Sequence, residues 1–302
     1  MTARAEVCGV CGVGHLGSCA FLGRHLDHLR SLGHTAGTVY SRKRAILRAA
    51  AALDVPLAEA SSRDLLGWLM RLDVASDTRR DYTTHLRRFM AFAVEDGLRH
   101  DDPAASLPVP RKSRRLPRPC GTDALMLALQ TAPPRIRPWL ICASYMGLRA
   151  REIAFLRREN ILETADPPVL LVTRHAAKGG RFERIVPLPP HVVADIPSWG
   201  LPRSGWAFPR HDGKPGPNTP AKVSQLANLH LHDVGVDSSL HTLRHWYGTL
   251  VYRQRRDLLA VQGLMGHRDP ASTAGYAAYD QAGAAADVAA LPVPPNLRMV
   301  KP

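Results

Sequence analysis

No stretch of the 302 residues approaches the roughly 18 consecutive apolar positions that a membrane helix needs. The N-terminus also lacks the basic-then-apolar pattern of a secretion signal, so a cytoplasmic chain with no membrane partner is expected. Cysteine occurs five times, too sparsely for a disulfide framework, and the five are read as reduced thiols. Aromatic residues are only 6% of the chain. Lysine is scarcer still: six of the 40 basic residues, the other 34 being arginine. Acidic residues number 26, which leaves a net charge of +14. With 45% hydrophobic and 22% charged residues the composition is that of a globular protein, and the length favours two domains.

An arginine-borne excess of this size points to a polyanionic partner. It is unevenly placed. Residues 1–110 hold 14 basic and 12 acidic side chains, while 111–118 hold five basic and none acidic. The run Arg111-Lys112-Ser113-Arg114-Arg115-Leu116-Pro117-Arg118 follows Pro103, Pro108 and Pro110 and has no apolar period, so it reads as an extended linker. Arginine forks bind phosphate bidentately, and Arg111, Lys112, Arg114 and Arg115 are candidates for a nucleic-acid backbone. Upstream, Tyr82, Leu86, Phe89 and Ala93 stack on one face of a helix expected over Thr78–Glu95, with Ser76 or Asp77 as cap and Gly97 as stop. Arg80, Arg87 and Arg88 fall elsewhere on it and are further nucleic-acid candidates. Helices are also expected near 38–53 and 62–72, the second capped by Ser61.

Cys8-x2-Cys11-x3-His15-x3-Cys19 places four soft ligands within twelve residues. A C-x-x-C pair can chelate zinc, but the spacing is tighter than in the usual knuckle. The cluster is read as incidental, in a flexible terminus, and no metal is assigned; zinc chelation is the alternative.

The second half carries the chemistry. A buried helix is expected over Ile136–Met146, and Gly147-Leu148-Arg149-Ala150-Arg151-Glu152-Ile153 opens another. Val169–Thr173 and Ile185–Leu188 read as strands joined across Lys178-Gly179-Gly180. His241-Thr242-Leu243-Arg244-His245 sits on a helix, with His241 and Arg244 one turn apart. Gly266-His267 follows, and Tyr276 lies nine residues later. His241 and His245 are spaced for a metal, but Thr242 stands where a metalloprotease helix has its glutamate.

The ordered set resembles the tyrosine recombinases, or phage-type integrases, from about residue 24 to 280. Members share an Arg in a G-L-R-x-x-E segment, a hairpin Lys, a His-x-x-Arg helix, a G-H pair and a Tyr nine residues after that His. The resemblance implies a mainly α fold with a small β-sheet, in two domains: an N-terminal Cys/His segment (1–23), a helical core-binding domain (24–108), a basic linker (109–120) and an α+β catalytic domain (121–302) with a short tail helix near 284–291.

It also implies a site-specific recombinase acting on double-stranded DNA, assembled as a homotetramer in the synapse and needing no cofactor, ATP or divalent ion. Tyr276 would attack the scissile phosphate to form a 3′-phosphotyrosine and release a 5′-hydroxyl. Arg149 and Arg244 would clamp the phosphate, His267 would add a hydrogen bond, Lys178 would protonate the leaving oxygen, and His241 would assist proton transfer. Tyr279, one turn further on, is the rival nucleophile. A non-catalytic DNA-binding regulator and a type IB topoisomerase-like relaxing enzyme are the alternative functions.

Overall fold

The computed structural model of the chain describes residues 8–12, 19–112, 118–176, 183–210, 212, 214–266, 273, 274 and 276. It divides into two compact units, Met1–Arg114 and Arg115–Pro302, the division falling inside the basic run. Arg114 and Arg115, His15 and the expected tail helix near 284–291 lie outside the described residues.

Among the described residues, four α-helices build the first unit: α1 (Ala20–Ser31), α2 (Ala36–Ala50), α3 (Ser62–Arg71) and α4 (Ser76–Glu95). Their inward residues form one core, in which Leu22, Leu26 and Leu29 of α1 meet Leu65, Trp68 and Leu69 of α3 and Leu86, Phe89 and Ala93 of α4. Ser61 starts α3 with a capping box, accepting from the Asp64 N–H while the Asp64 carboxylate accepts from Ser61. By contrast α4 begins at Ser76 without a side-chain cap, so neither Ser76 nor Asp77 plays that part. Gly97, with φ of +74°, follows its end.

The N-terminal segment differs from its expected form. Helix α1 starts at Ala20, and Val10 and Cys11 are buried in the same core as α1. A boundary between residues 23 and 24 would therefore cut a helix, and residues 8–12 are packed rather than loose. The Leu57 and Ala58 N–H groups, in a short 3₁₀ turn before α3, donate to the Gly9 and Val10 carbonyls at 2.8 Å each.

The described residues of the second unit are mainly helical with one small sheet. Helices α5 (Thr122–Thr131), α6 (Arg137–Tyr145) and α7 (Ala150–Ala154) precede strands β1 (Ile161–Leu162), β2 (Val169–Val172) and β3 (Arg184–Pro187). The strands pair antiparallel in the order β1-β2-β3, with Leu170 opposite Val186. Leu170, Val172 and Val186 turn into the core while Ile185 faces out, the alternation of a sheet covered on one side. Then follow α8 (Pro190–Asp195), α9 (Pro220–Asp233), α10 (Leu240–Arg255) and α11 (Leu258–Met265).

Helix α6 is apolar nearly all round, with Trp139, Leu140, Ile141, Cys142 and Ala143 buried, and it packs against α10. That packing fixes the axis of the helix that carries His241 and Arg244. Among the described residues no helix is long and apolar enough to cross a membrane.

Candidate active site

Ser239 starts α10, accepting from the Thr242 N–H while the Thr242 hydroxyl accepts from the Ser239 N–H. With the start fixed, helical spacing aims His241, Arg244, His245 and Gly248 toward neighbouring positions. Arg149 stands at the N-cap of α7, and Glu152, three residues on, accepts its backbone N–H at 2.9 Å and its Nη1 at 2.8 Å. Arg149 Nη2 donates to the Gly266 carbonyl at 2.9 Å.

Glu152 is the hub of the site. Its carboxylate is 1% exposed and accepts a fork from Arg184 at 2.9 and 2.7 Å. Arg244 Nη1 lies 3.7 Å from it. Burial alone would raise this carboxyl; the hydrogen bonds and charge of Arg184, with the charges of Arg244 and Arg149, outweigh that and hold it at about 2. Three guanidiniums thus surround one carboxylate, a local charge of +2 that a phosphate would complement.

Arg244 is itself 1% exposed and donates to the carbonyls of Gly147 and Met265. Burial, then the neighbouring Arg149, lowers its pKa to about 9, which leaves it charged at neutral pH. Gly147 has φ of +62°, and a Cβ there would stand 2.5 Å from the Tyr247 ring. Only glycine lets the chain pass this ring and present its carbonyl to Arg244.

Tyr276 is fully buried against Val261 and Met265. Its hydroxyl lies 3.0 Å from His245 Nδ1. Burial raises the phenol to about 12. Burial, with His241 and Arg244 nearby, lowers His245 to about 4, so the imidazole is neutral at pH 7 and one ring nitrogen can accept a hydrogen bond from the phenol. The His241 ring is 4.4 Å from that of His245.

The structure therefore brings Arg149 and Arg244 together through Glu152 and the Gly147 and Gly266 turns, and sets His241 beside the His245–Tyr276 pair. Lys178, His267 and Tyr279 lie outside the described residues. Arg184 and His245 were not singled out for this site by sequence: Arg184 only opens a strand, and His245 read as half of a failed metal pair. The scarcity of fully buried arginine was no guide, because burial is not visible in a linear pattern.

In the first unit, Arg80 spends one donor on the Pro110 carbonyl at 2.7 Å. Arg88 parts from Arg80 and Arg87 to line a cavity of about 160 Å³ with His25, His28, His34 and Arg42. Arg87 is half-buried, and Arg111 and Lys112 are exposed. Among the described residues one group of three or more potential metal ligands occurs, Cys8, Cys11 and Cys19, in the first unit.

The fold is that of the tyrosine recombinases. It superposes on the XerH site-specific recombinase bound to its palindromic difH substrate with a TM-score of 0.67, at 15% identity, over 90% of this chain and 94% of that one. It superposes on a lambda integrase tetramer bound to a Holliday junction with a TM-score of 0.62, at 18% identity, over 83% and 77%. The tyrosine recombinase XerD of Caulobacter vibrioides is 32% identical over 213 residues, covering 63% of this chain and 67% of that protein. The family model described as phage integrase family matches residues 121–282. The chain belongs to the phage integrase family and is a site-specific DNA recombinase, an enzyme that breaks and rejoins DNA strands.

Proposed function

We propose that Tyr276 is the nucleophile and that Arg149 and Arg244 stabilise the phosphate it attacks. The 3.0 Å approach of the Tyr276 hydroxyl to His245 Nδ1 carries this reading, because it puts a proton acceptor within hydrogen-bond reach of the phenol. The phenol oxygen attacks phosphorus, its proton passes to His245, and the 5′ oxygen leaves with a proton from Lys178. The product is a 3′-phosphotyrosine and a free 5′-hydroxyl, and attack by the 5′-hydroxyl of another duplex reverses the step. The phosphodiester's bond energy is kept in the covalent link, so the exchange is balanced without ATP. His241, beside His245, assists the proton transfer, and His267 adds a donor to the phosphate.

The partner in this reading is double-stranded DNA carrying a recombination site, and the working assembly is a homotetramer in the synapse. The lambda integrase tetramer on a Holliday junction supports that assembly. The domain scheme of core-binding domain, basic linker and catalytic domain belongs to the same proposal. Arg80, Arg87, Arg88 and the segment Arg111, Lys112, Arg114 and Arg115 supply salt-sensitive contacts to the DNA backbone. A cytoplasmic location goes with a DNA substrate.

The test is covalent trapping on attachment-site DNA nicked near the cleavage position. Wild type accumulates a phenol-stable protein–DNA adduct, and Tyr276→Phe binds the DNA but forms none. An adduct that persists in Tyr276→Phe and disappears in Tyr279→Phe overturns the assignment. Wild type that relaxes supercoils without exchanging strands, or binds without cleaving, overturns the recombinase mechanism in favour of the relaxing enzyme or the regulator.

A further inference from the structure

We propose that Cys8, Cys11 and Cys19 hold a structural zinc ion that fastens the N-terminal loop to the helical unit. Nothing in the strand-exchange chemistry uses these residues. The three sulfur atoms lie within 4.8 Å of one another, though Cys19 is eleven positions from Cys8. None of them is in a disulfide. Tetrahedral zinc with Zn–S bonds of about 2.3 Å sets its sulfurs about 3.8 Å apart, so the cluster needs a contraction of only about 1 Å to close on the ion.

The backbone seats the sulfurs. The Val10 N–H donates to Cys8 Sγ and the Leu22 N–H to Cys19 Sγ, each at 3.4 Å. Cys19 is the N-cap of α1. Cys8 and Cys11 stand on a tight turn in which the Gly12 N–H closes on the Cys8 carbonyl at 2.9 Å. Gly12 takes φ of +74°, and a Cβ on it would collide with the Glu59 carboxylate. The turn is seated by the bonds from Leu57 and Ala58 and by the burial of Val10 and Cys11.

Three thiolates supply three of the four donors that zinc takes, and sulfur-rich donor sets of this kind are those of structural centres. The incidental reading of this motif rested on a flexible terminus; the packed turn removes that premise.

The full-length protein, expressed with zinc in the medium and purified without chelator, should contain one zinc ion per chain by elemental mass spectrometry. Replacement with cobalt should give near-ultraviolet thiolate-to-metal absorption and the visible bands of tetrahedral coordination. Cys8→Ser should lose the zinc while Cys120→Ser, a buried thiol outside the cluster, keeps it. Because Cys8→Ser could fail by misfolding, wild type is also melted with and without chelator, and chelation should lower the transition of the first unit by more than about 5 °C. Zinc-free protein with no cobalt–thiolate absorption overturns the proposal, as does a Cys8–Cys11 disulfide found in place of metal. An unchanged melting transition overturns the fastening role. DNA cleavage is not a readout here, so the outcome is independent of the strand-exchange mechanism.

Discussion

His245 Nδ1 lies 3.0 Å from the Tyr276 hydroxyl, across a sequence gap of 31 residues. The contact joins the middle of α10 to the proposed nucleophile and gives the phenol a neutral acceptor. Losing a positioned base costs about 10²–10⁴-fold in rate, so His245→Ala should slow adduct formation on nicked substrate by about 10²-fold or more. DNA affinity should stay near wild type, because His245 faces the tyrosine rather than a phosphate. Single-turnover trapping measures the rate directly; a wild-type rate in His245→Ala would sink the assignment. With His245 at about 4, the wild-type rate should also show no inflection from this group near pH 6.5.

Glu152 offers a test of how the arginines are held. Glu152→Gln removes the one carboxylate facing Arg149, Arg184 and Arg244, leaving three guanidiniums to repel one another in a buried site. Breaking a buried pair from one side costs about 3–5 kcal/mol, and the second unit should melt correspondingly lower. In wild type the carboxyl is held at about 2, below its usual 4.5. Its depressed pKa contributes stability that is whole above pH 4.5 and is lost as pH falls toward 2, and Glu152→Gln should lack this acid-induced fall.

Much of this arrangement was legible before any coordinates. Arg149 and Glu152 lie three residues apart, as do His241 and Arg244 on their helix, so local rules reach both pairs. Arg184 meets Glu152 from 32 residues away, through a strand whose own residues say only that it pairs. Helix α1 escaped for a different reason: its cap is Cys19, outside the usual Ser, Thr, Asp and Asn, and a buried histidine, His25, interrupts its apolar face. The packing of the Cys8–Cys11 turn is not visible locally, because the bonds that seat it come from Leu57 and Ala58, far along the chain.

Acid should also unfold the protein in a separate, milder window. Burial, with Arg42 and His28 nearby, lowers His25 to about 4, and neither ring nitrogen has a hydrogen-bond partner. Burial lowers His245 similarly, and His34 and His85 move in the same direction. A histidine buried neutral binds its proton more readily when unfolded, so its stabilising share is complete above pH 6.5 and is lost as pH falls from 6.5 to 4. For His25, 1% exposed, the loss is at most about 3 kcal/mol. Thermal melts of wild type and His25→Phe between pH 7 and 4 check this; the variant should lose less stability over that range, and parallel curves would refute the assignment.

Gly248 tests whether the seat of Tyr276 matters apart from the chemistry of its neighbours. Helix α10 carries this glycine one turn beyond Arg244, and a Cβ on it would stand 2.5 Å from Met265 Sδ and 2.7 Å from Tyr276 Cζ. Alanine is the better helix former, so the backbone of α10 gains by Gly248→Ala while the packed site is overfilled. The tyrosine ring must shift, and with it the 3.0 Å contact to His245. Overpacking of this kind costs about 1–3 kcal/mol, small enough for the second unit to remain folded at 25 °C. Gly248→Ala should therefore keep its circular dichroism and its DNA affinity but lose at least about tenfold in the rate of adduct formation, in proportion to the misplacement of the nucleophile. Adduct formation at the wild-type rate would show that Tyr276 reacts from a position other than the one it occupies beside Gly248.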